Sequence, residues 1–228
     1  MKRSEVNNAI EWANDLLSKQ NIRLPGLAHW SLDTWREKKD HLHTIRKTML
    51  GWDISDYGRG EFDKLGAVLF TVRNGLVTDE SVGVPYCEKY ILMKDGQRLP
   101  KHYHIYKTED IINRAGGTLW LKLFDVDPAT GKETGKPVTV YCDGIPQTFE
   151  SGEDVFVEIG DSITLPPYVA HIFGPKAGGG DLVVGEVSRI NDDVTDNYFL
   201  EEIARFADIE EDVAPLRPLC NEYDVLIV

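Results

Sequence analysis

Residues 95–117, DGQRLPKHYHIYKTEDIINRAGG, decide how this chain is read. His102 and His104 stand two positions apart. On an extended strand such positions face the same side, so both imidazoles can point into one interior. Glu109 follows a short turn-like stretch and can return a carboxylate from the neighbouring strand. A fourth ligand has to come from elsewhere. Residues 160–173, GDSITLPPYVAHIF, supply His171 on a strand that follows the Gly160-Asp161 turn. Pro166 and Pro167 interrupt the ladder just before it, as at the rim of a sheet.

Three imidazoles and a carboxylate suit Mn, Fe, Co, Ni or Zn, and the lack of a thiolate argues against Cu(I). On an octahedral ion, four protein ligands leave two positions open. If adjacent, these take two neighbouring oxygens of one substrate. A structural zinc site is usually closed and tetrahedral, so the pattern points to catalysis. A second HxH, His41-Leu42-His43, has no Glu at a useful spacing and is read as not binding metal.

Outward from this segment the texture is β-rich. Residues 67–73, 89–94, 118–126, 137–141, 155–158, 162–165 and 182–188 are short and rich in β-branched or aromatic side chains. Turn formers separate them, among them Arg73-Asn74-Gly75, Cys142-Asp143-Gly144 and Gly178-Gly179-Gly180. This predicts a sandwich or barrel. At the N-terminal end, residues 4–19 put Val6, Ile10, Ala13, Leu16 and Leu17 on one helical stripe, with Ser4 as N-cap. Residues 31–39 predict a second short helix starting near Ser31 or Asp33. Residues 197–206 return to helical spacing through Phe199, Leu200, Ile203 and Phe206, and the tail 223–228, YDVLIV, predicts a last strand. No linker cuts the chain, so one domain over 1–228 is expected, with a barrel core at about 65–190.

Composition narrows the partners. Lys plus Arg number 25 and Asp plus Glu 38, a net charge of −13. That argues against an electrostatic hold on nucleic acid or an anionic membrane, and suits an uncharged substrate such as a sugar. Cys87, Cys142 and Cys220 are widely spaced, without a CxxC, and are expected as free thiols in a reducing compartment. No apolar run is long enough to span a bilayer and the start of the chain has no secretory pattern, so a cytoplasmic protein is expected. There is no dinucleotide glycine fingerprint and no P-loop.

Candidates for chemistry lie near the ligands. Glu186, in LVVGEVS, shares a strand face with Val184 and Ser188. An unpaired buried charge is costly, so this carboxylate is paired, close to metal or catalytic. It is the expected general base. Lys107, two residues before Glu109, points the same way if that stretch is extended. A nearby dication and desolvation would lower its pKa and make it an acid or base. Lys89 shares a face with Ile91 and Met93 and either holds a substrate hydroxyl or pairs with an acidic neighbour. Arg189 and Asp193, at the end of the Glu186 strand, are candidate substrate-binding residues. Alternatively, Asp192, Asp193 and Asp196 make turn and cap hydrogen bonds. Phe173, Phe124 and Trp120 are candidate apolar walls or plain core.

Two motifs then meet a known family. Gly96-x5-His102-x-His104-x4-Glu109-x6-Gly116 resembles the first cupin motif throughout. Gly160-x5-Pro166-x-Tyr168-x2-His171 resembles the second, departing at Tyr168, where Gly is usual, and at Pro175, where many have Asn. The resemblance implies a mainly β fold: a cupin-type, jelly-roll-like antiparallel β-barrel, here with N-terminal helices and a C-terminal helix. Residues 88–117 and 183–203 further resemble the D-lyxose isomerase family, as does the N-terminal helix with the Trp-containing segment after it. That implies a manganese-dependent aldose–ketose isomerase converting D-lyxose to D-xylulose, with weaker use of D-mannose and D-fructose. It also implies His102, His104, Glu109 and His171 as metal ligands, and a homodimer. Such chemistry moves a hydrogen between C1 and C2, with a cis-enediol on the proton-transfer route. A base carries the proton between the carbons and an acid serves the oxygens. Two other readings of the same ligands stay open: a non-haem iron dioxygenase and a non-catalytic sugar-binding cupin.

Overall fold

In this computed structural model, which describes residues 1–227, the chain opens with helix α1 (Arg3–Lys19). Val6, Ile10, Ala13, Leu16 and Leu17 form its buried stripe, joined by Ala9. The helix starts just before Ser4. Glu5 accepts the Lys2 N–H at 2.6 Å, while the Ser4 hydroxyl donates to Asp212 at 2.7 Å instead of capping. Helix α2 (Leu32–Glu37) is capped by Ser31, whose hydroxyl accepts the Thr34 N–H at 3.1 Å. A single turn, α3 (His43–Lys47), follows. His41, in the turn before it, and His43, at its start, are exposed and lie outside the cluster of His102, His104 and His171.

Among the described residues thirteen strands come next, all pairing antiparallel. They are β1 (Gly51–Ser55), β2 (Ala67–Leu76), β3 (Asp79–Met93), β4 (His102–Tyr103), β5 (Glu109–Gly116), β6 (Leu119–Asp125) and β7 (Val138–Cys142), then β8 (Ile145–Phe149), β9 (Asp154–Val157), β10 (Ser162–Leu165), β11 (Val169–Pro175), β12 (Leu182–Ser188) and β13 (Tyr198–Phe199). One sheet has eight strands in the order β1-β2-β3-β12-β5-β10-β7-β8. The other has five, β13-β4-β11-β6-β9. This is the mainly β, antiparallel architecture the motif spacing implied. The sheet begins at β1, upstream of residue 65, because β1 pairs along β2 from Gly51↔Thr71 to Ser55↔Ala67.

Strand alternation sorts side chains between two cores. Leu69, Ile91, Met93, Ile111, Leu121, Val140, Ile163, Phe173 and Val184 fill the space between the sheets. Their neighbours Val68, Phe70, Leu92 and Val183 point out of the larger sheet and are covered by α1. Ile10 is fully buried in that second layer. Ile10→Ala is therefore expected to destabilise the protein by about 2–5 kcal/mol, read as a lower urea midpoint at unchanged slope.

Two C-terminal expectations are overturned. Residues 197–206 form no helix. They make the two-residue β13 and a series of bends, because their backbone groups bond elsewhere. The Leu200 N–H donates to Lys101 O at 2.9 Å and the Ala204 N–H to Tyr57 O at 3.1 Å. The tail is not a strand either: α4 (Tyr223–Leu226) is one helical turn, with Tyr223 stacked on Trp35 at 5.0 Å. Val228, the end of that predicted strand, lies outside the described residues. Among the described residues no helix is long and apolar enough to cross a membrane. Cys87 and Cys220 are buried free thiols, and Cys142 is half-buried.

Candidate active site

Strand β4 pairs with β11 so that His102 lies opposite His171. The neighbouring position on the same face brings in His104, and Glu109 opens β5. One ligand atom from each of these four buried residues lies within 4.8 Å of the others. His171 Nε2 is 3.1 Å and His104 Nε2 is 3.5 Å from Glu109 Oε1. The His102 and His171 rings meet at 4.3 Å between centroids.

The far side of each ring fixes which nitrogen faces the cluster. His102 Nδ1 faces Pro100 O at 3.0 Å, His171 Nδ1 faces Val169 O at 3.1 Å, and His104 Nδ1 faces Asp196 O. A carbonyl only accepts, so each Nδ1 carries the proton and donates it. Each neutral ring therefore turns a bare Nε2 lone pair inward. Burial, with His171 and His104 alongside, pushes His102 well below the ordinary histidine range and keeps it neutral. His104 Nε2, His171 Nε2 and Glu109 Oε1 are buried and have no hydrogen-bond partner in the protein. Lone pairs this close repel one another unless a cation sits among them. The donor set fits a divalent ion held by nitrogen and oxygen.

Beside the cluster lies a second group of charges. Strand β12 pairs with β3 so that Glu186 lies opposite Lys89, and Lys89 Nζ is 3.2 Å from Glu186 Oε1. Lys107 Nζ is 3.0 Å from the same oxygen and 2.9 Å from Glu109 Oε2, so it bridges the two carboxylates. Both lysines also donate to Asn191 Oδ1, at 2.9 Å from Lys89 and 3.2 Å from Lys107. Asn191 is fixed in turn by Asn74, whose side chain accepts its N–H and donates to its carbonyl, both at 3.0 Å. Burial alone would raise the Glu186 carboxyl, but Lys107 and Lys89 outweigh it and hold it below the usual range. Glu109 is held well below that range, again by Lys107 against burial. Burial would lower Lys107, yet Glu109 and Glu186 win and raise its ammonium in the protein without a bound ion.

Both groups, His171 apart, line one cavity of about 40 Å³, with Tyr57, Leu69, Ile91, Leu99, Phe173, Asp193, Asn197, Phe199 and Arg205 completing the wall. Asp193 lies there, bonded to Arg205 Nη2 at 2.9 Å, while Asp53 of β1 holds the same nitrogen at 2.6 Å. Arg189 lies outside that wall. It is exposed and lines an adjacent groove with Tyr106 and Val84. Of the three candidate aromatic walls, only Phe173 reaches the cavity, stacked on His171 at 6.1 Å. Trp120 donates to Asp154 at 2.7 Å on the outer face, and Phe124 packs with Tyr103, Val126 and Ala170. Asp192 makes turn bonds to the Val194 and Thr195 N–H groups at 2.9 and 3.0 Å. The Asp196 carboxylate gathers the N–H groups of Ile105, Tyr106 and Lys107 at 2.7, 3.0 and 2.8 Å. Tyr57, Asn191, Asn197 and Arg205 were not singled out by sequence. Only the polar run 191–197 hints at two of them.

Two antiparallel sheets enclosing a three-histidine, one-glutamate cluster define a cupin-type protein with a buried candidate metal centre. Comparison with known proteins makes this specific. The chain belongs to the D-lyxose isomerase family, a family of enzymes, whose model matches residues 1–223. It is 39% identical over 225 residues to a D-lyxose/D-mannose isomerase of Serratia proteamaculans, covering 98% of each chain. It is 38% identical over 224 residues to a protein of the same name from Escherichia coli O157:H7, again covering 98% of each. Among solved structures, an Acinetobacter sp. DL28 L-ribose isomerase in complex with L-ribose shares the fold, with a TM-score of 0.60 at 16% identity, over 92% of this chain and 98% of that one.

Proposed function

We propose that this chain is a manganese-dependent aldose–ketose isomerase that interconverts D-lyxose and D-xylulose, and also D-mannose and D-fructose, through a cis-enediol. The names of its relatives support the substrates. The observation that carries the reading is Glu186: a buried carboxylate joined to the metal-ligand candidate Glu109 through a single lysine.

His102, His104, Glu109 and His171 would hold the ion. A bound divalent ion supplies Lewis-acid polarisation and offsets negative charge on neighbouring oxygens. The remaining work falls to side chains. Glu186, kept ionised by Lys107 and Lys89, takes the proton from C2 of the aldose and returns it to C1. Such a proton transfer contributes about 10²–10⁴-fold. Lys107 already donates to three acceptors and exchanges one of them for the sugar oxygens, giving a proton to O1 and taking up the one that leaves O2. Lys89 and Asn191 keep the Glu186 oxygen pointed into the cavity. Phe173, Leu69 and Ile91 exclude water from the proton's path. The cavity has room for a few waters, at about 10–15 Å³ each, so residues 191–205 move outward to admit a sugar. The chain is proposed to work as one domain in a cytoplasmic homodimer.

The test is turnover of D-lyxose by the purified protein with manganese under nitrogen, followed as D-xylulose. Formation of the ketose without oxygen or nicotinamide is expected. Oxygen consumption with an organic substrate would favour a dioxygenase instead. Sugar binding with no turnover under any divalent ion would favour a binding protein.

A further inference from the structure

The cavity wall holds two polar atoms that the proton transfer does not use. Arg205 Nη1 is a buried donor without a partner, and Asn197 Oδ1 is a buried acceptor without one. Both side chains line the cavity that contains the histidine cluster. Their other atoms are committed. Arg205 Nη2 is gripped by Asp53 and Asp193 at 2.6 and 2.9 Å. Asn197 Nδ2 donates to the other oxygen of Asp193 at 3.4 Å. Asp193 thus orients both groups and leaves each with one unpartnered polar atom. Desolvated donors and acceptors are costly to leave unmatched, so the pair reads as half of a set of hydrogen bonds.

A free donor and a free acceptor on one cavity wall, both held by Asp193, suit a hydroxyl, which accepts and donates at once. It does not suit an anion. Two carboxylates already surround the single guanidinium, and Asn197 offers an acceptor that an anion would meet as repulsion. Resting on the isomerase reading above, we infer that Arg205 and Asn197 form the subsite for a hydroxyl at the sugar end remote from C1 and C2. They thereby select free sugars over their terminal phosphate esters. Both residues come from 191–205, the segment that closes the cavity. Asp196, next to Asn197, ties this segment to the ligand loop through the His104 ring and the N–H groups of residues 105–107. The far end of the sugar is therefore read by the same segment that seals the near end.

The experiment compares D-lyxose with 4-deoxy-D-lyxose, 5-deoxy-D-lyxose and D-lyxose 5-phosphate on the manganese-loaded protein. One deoxy sugar is expected to lose about 10–100-fold in kcat/KM, mostly through KM, and the phosphate ester to be rejected. In Asn197→Leu, which removes the acceptor, D-lyxose falls by a similar factor while that deoxy sugar hardly changes, so their ratio closes towards one. Arg205→Lys, which keeps the charge between Asp53 and Asp193 but withdraws Nη1, closes it too. A merely structural role would lower both sugars together. Equal turnover of D-lyxose and both deoxy sugars by the unaltered protein overturns the subsite, even if neither variant folds. So does preference for the phosphate ester, or a ratio that persists in the variants. Failure of the unaltered protein to turn over D-lyxose at all overturns the isomerase reading first, and the subsite with it.

Discussion

Glu109→Gln protein is expected to fold, to lose bound metal on dialysis, and to lose turnover with it. The carboxylate is the only anionic member of the ligand set, and its Oε1 faces two bare imidazole nitrogens at 3.1 and 3.5 Å. An amide presents either a weaker oxygen or an N–H that hydrogen-bonds to one of those nitrogens and shuts the site. Changes at groups that merely support ligands already weaken metal binding about 10–100-fold, so losing a ligand charge should exceed that. Activity should fall by at least about 10³-fold, since removing a single charge-stabilising donor from an active site costs about 10²–10³. Folding suffers less. Lys107 keeps Glu186 at 3.0 Å, so its buried ammonium is not stranded. A stability loss of about 1–3 kcal/mol is expected in the metal-free protein. Metal content, anaerobic turnover and a denaturant titration on one preparation separate these effects. A variant that keeps both its metal and its rate would show that Glu109 is not a ligand.

That candidate cluster could be read from sequence because its geometry is local. His102 and His104 obey the two-residue period of a strand, and only His171 had to be brought in over a distance. Strands β2, β3, β7, β10 and β12 of the larger sheet were legible for a similar reason, from short β-branched runs between glycine-bearing turns. What escaped depends on long-range partners. Residues 197–206 have helical spacing, yet Phe199 turns into the barrel against His102 at 5.7 Å and Tyr57 at 6.1 Å, and the backbone bonds to Lys101 and Tyr57 rather than to itself. Arg205 falls outside the apolar spacing of that segment, and no local pattern marks it. Its role appears only when Asp53, on β1, comes within reach. Strand β1 itself is five residues with a charge at its centre, too short a signal for a period to show. The tail 223–227 looks β-branched enough for a strand, but Tyr223 is committed to Trp35 and its hydroxyl to Leu50 O, which leaves room for one helical turn. Arg189 sits outside that cavity because strand alternation ends at Ser188. Beyond it the backbone turns, and the side chain leaves the interior face.

Glu186→Gln tests the chemistry without touching a ligand. Turnover should drop about 10²–10⁴-fold, the range for a positioned proton carrier, while metal content stays at the unaltered level. The amide oxygen can still accept from Lys107 and Lys89, so the cavity keeps its shape and KM should move far less than kcat. The lysines supply a second readout, because the carboxylate also holds Lys89. In the unaltered protein Glu186 outweighs burial and raises the Lys89 ammonium above its ordinary 10.5. Without that charge, burial dominates and the folded-state value falls below the unfolded one. The unfolded chain then binds more protons, so the stability of the variant rises with pH. Its deficit against the unaltered protein should be largest near neutrality and shrink as pH approaches about 10, the ordinary lysine range. A structural carboxylate would give that stability signature with turnover intact. A base gives both. If Glu186→Gln keeps its metal and its full rate, the proton is carried by another group, and Lys107, on the other side of the same oxygen, is the next to replace.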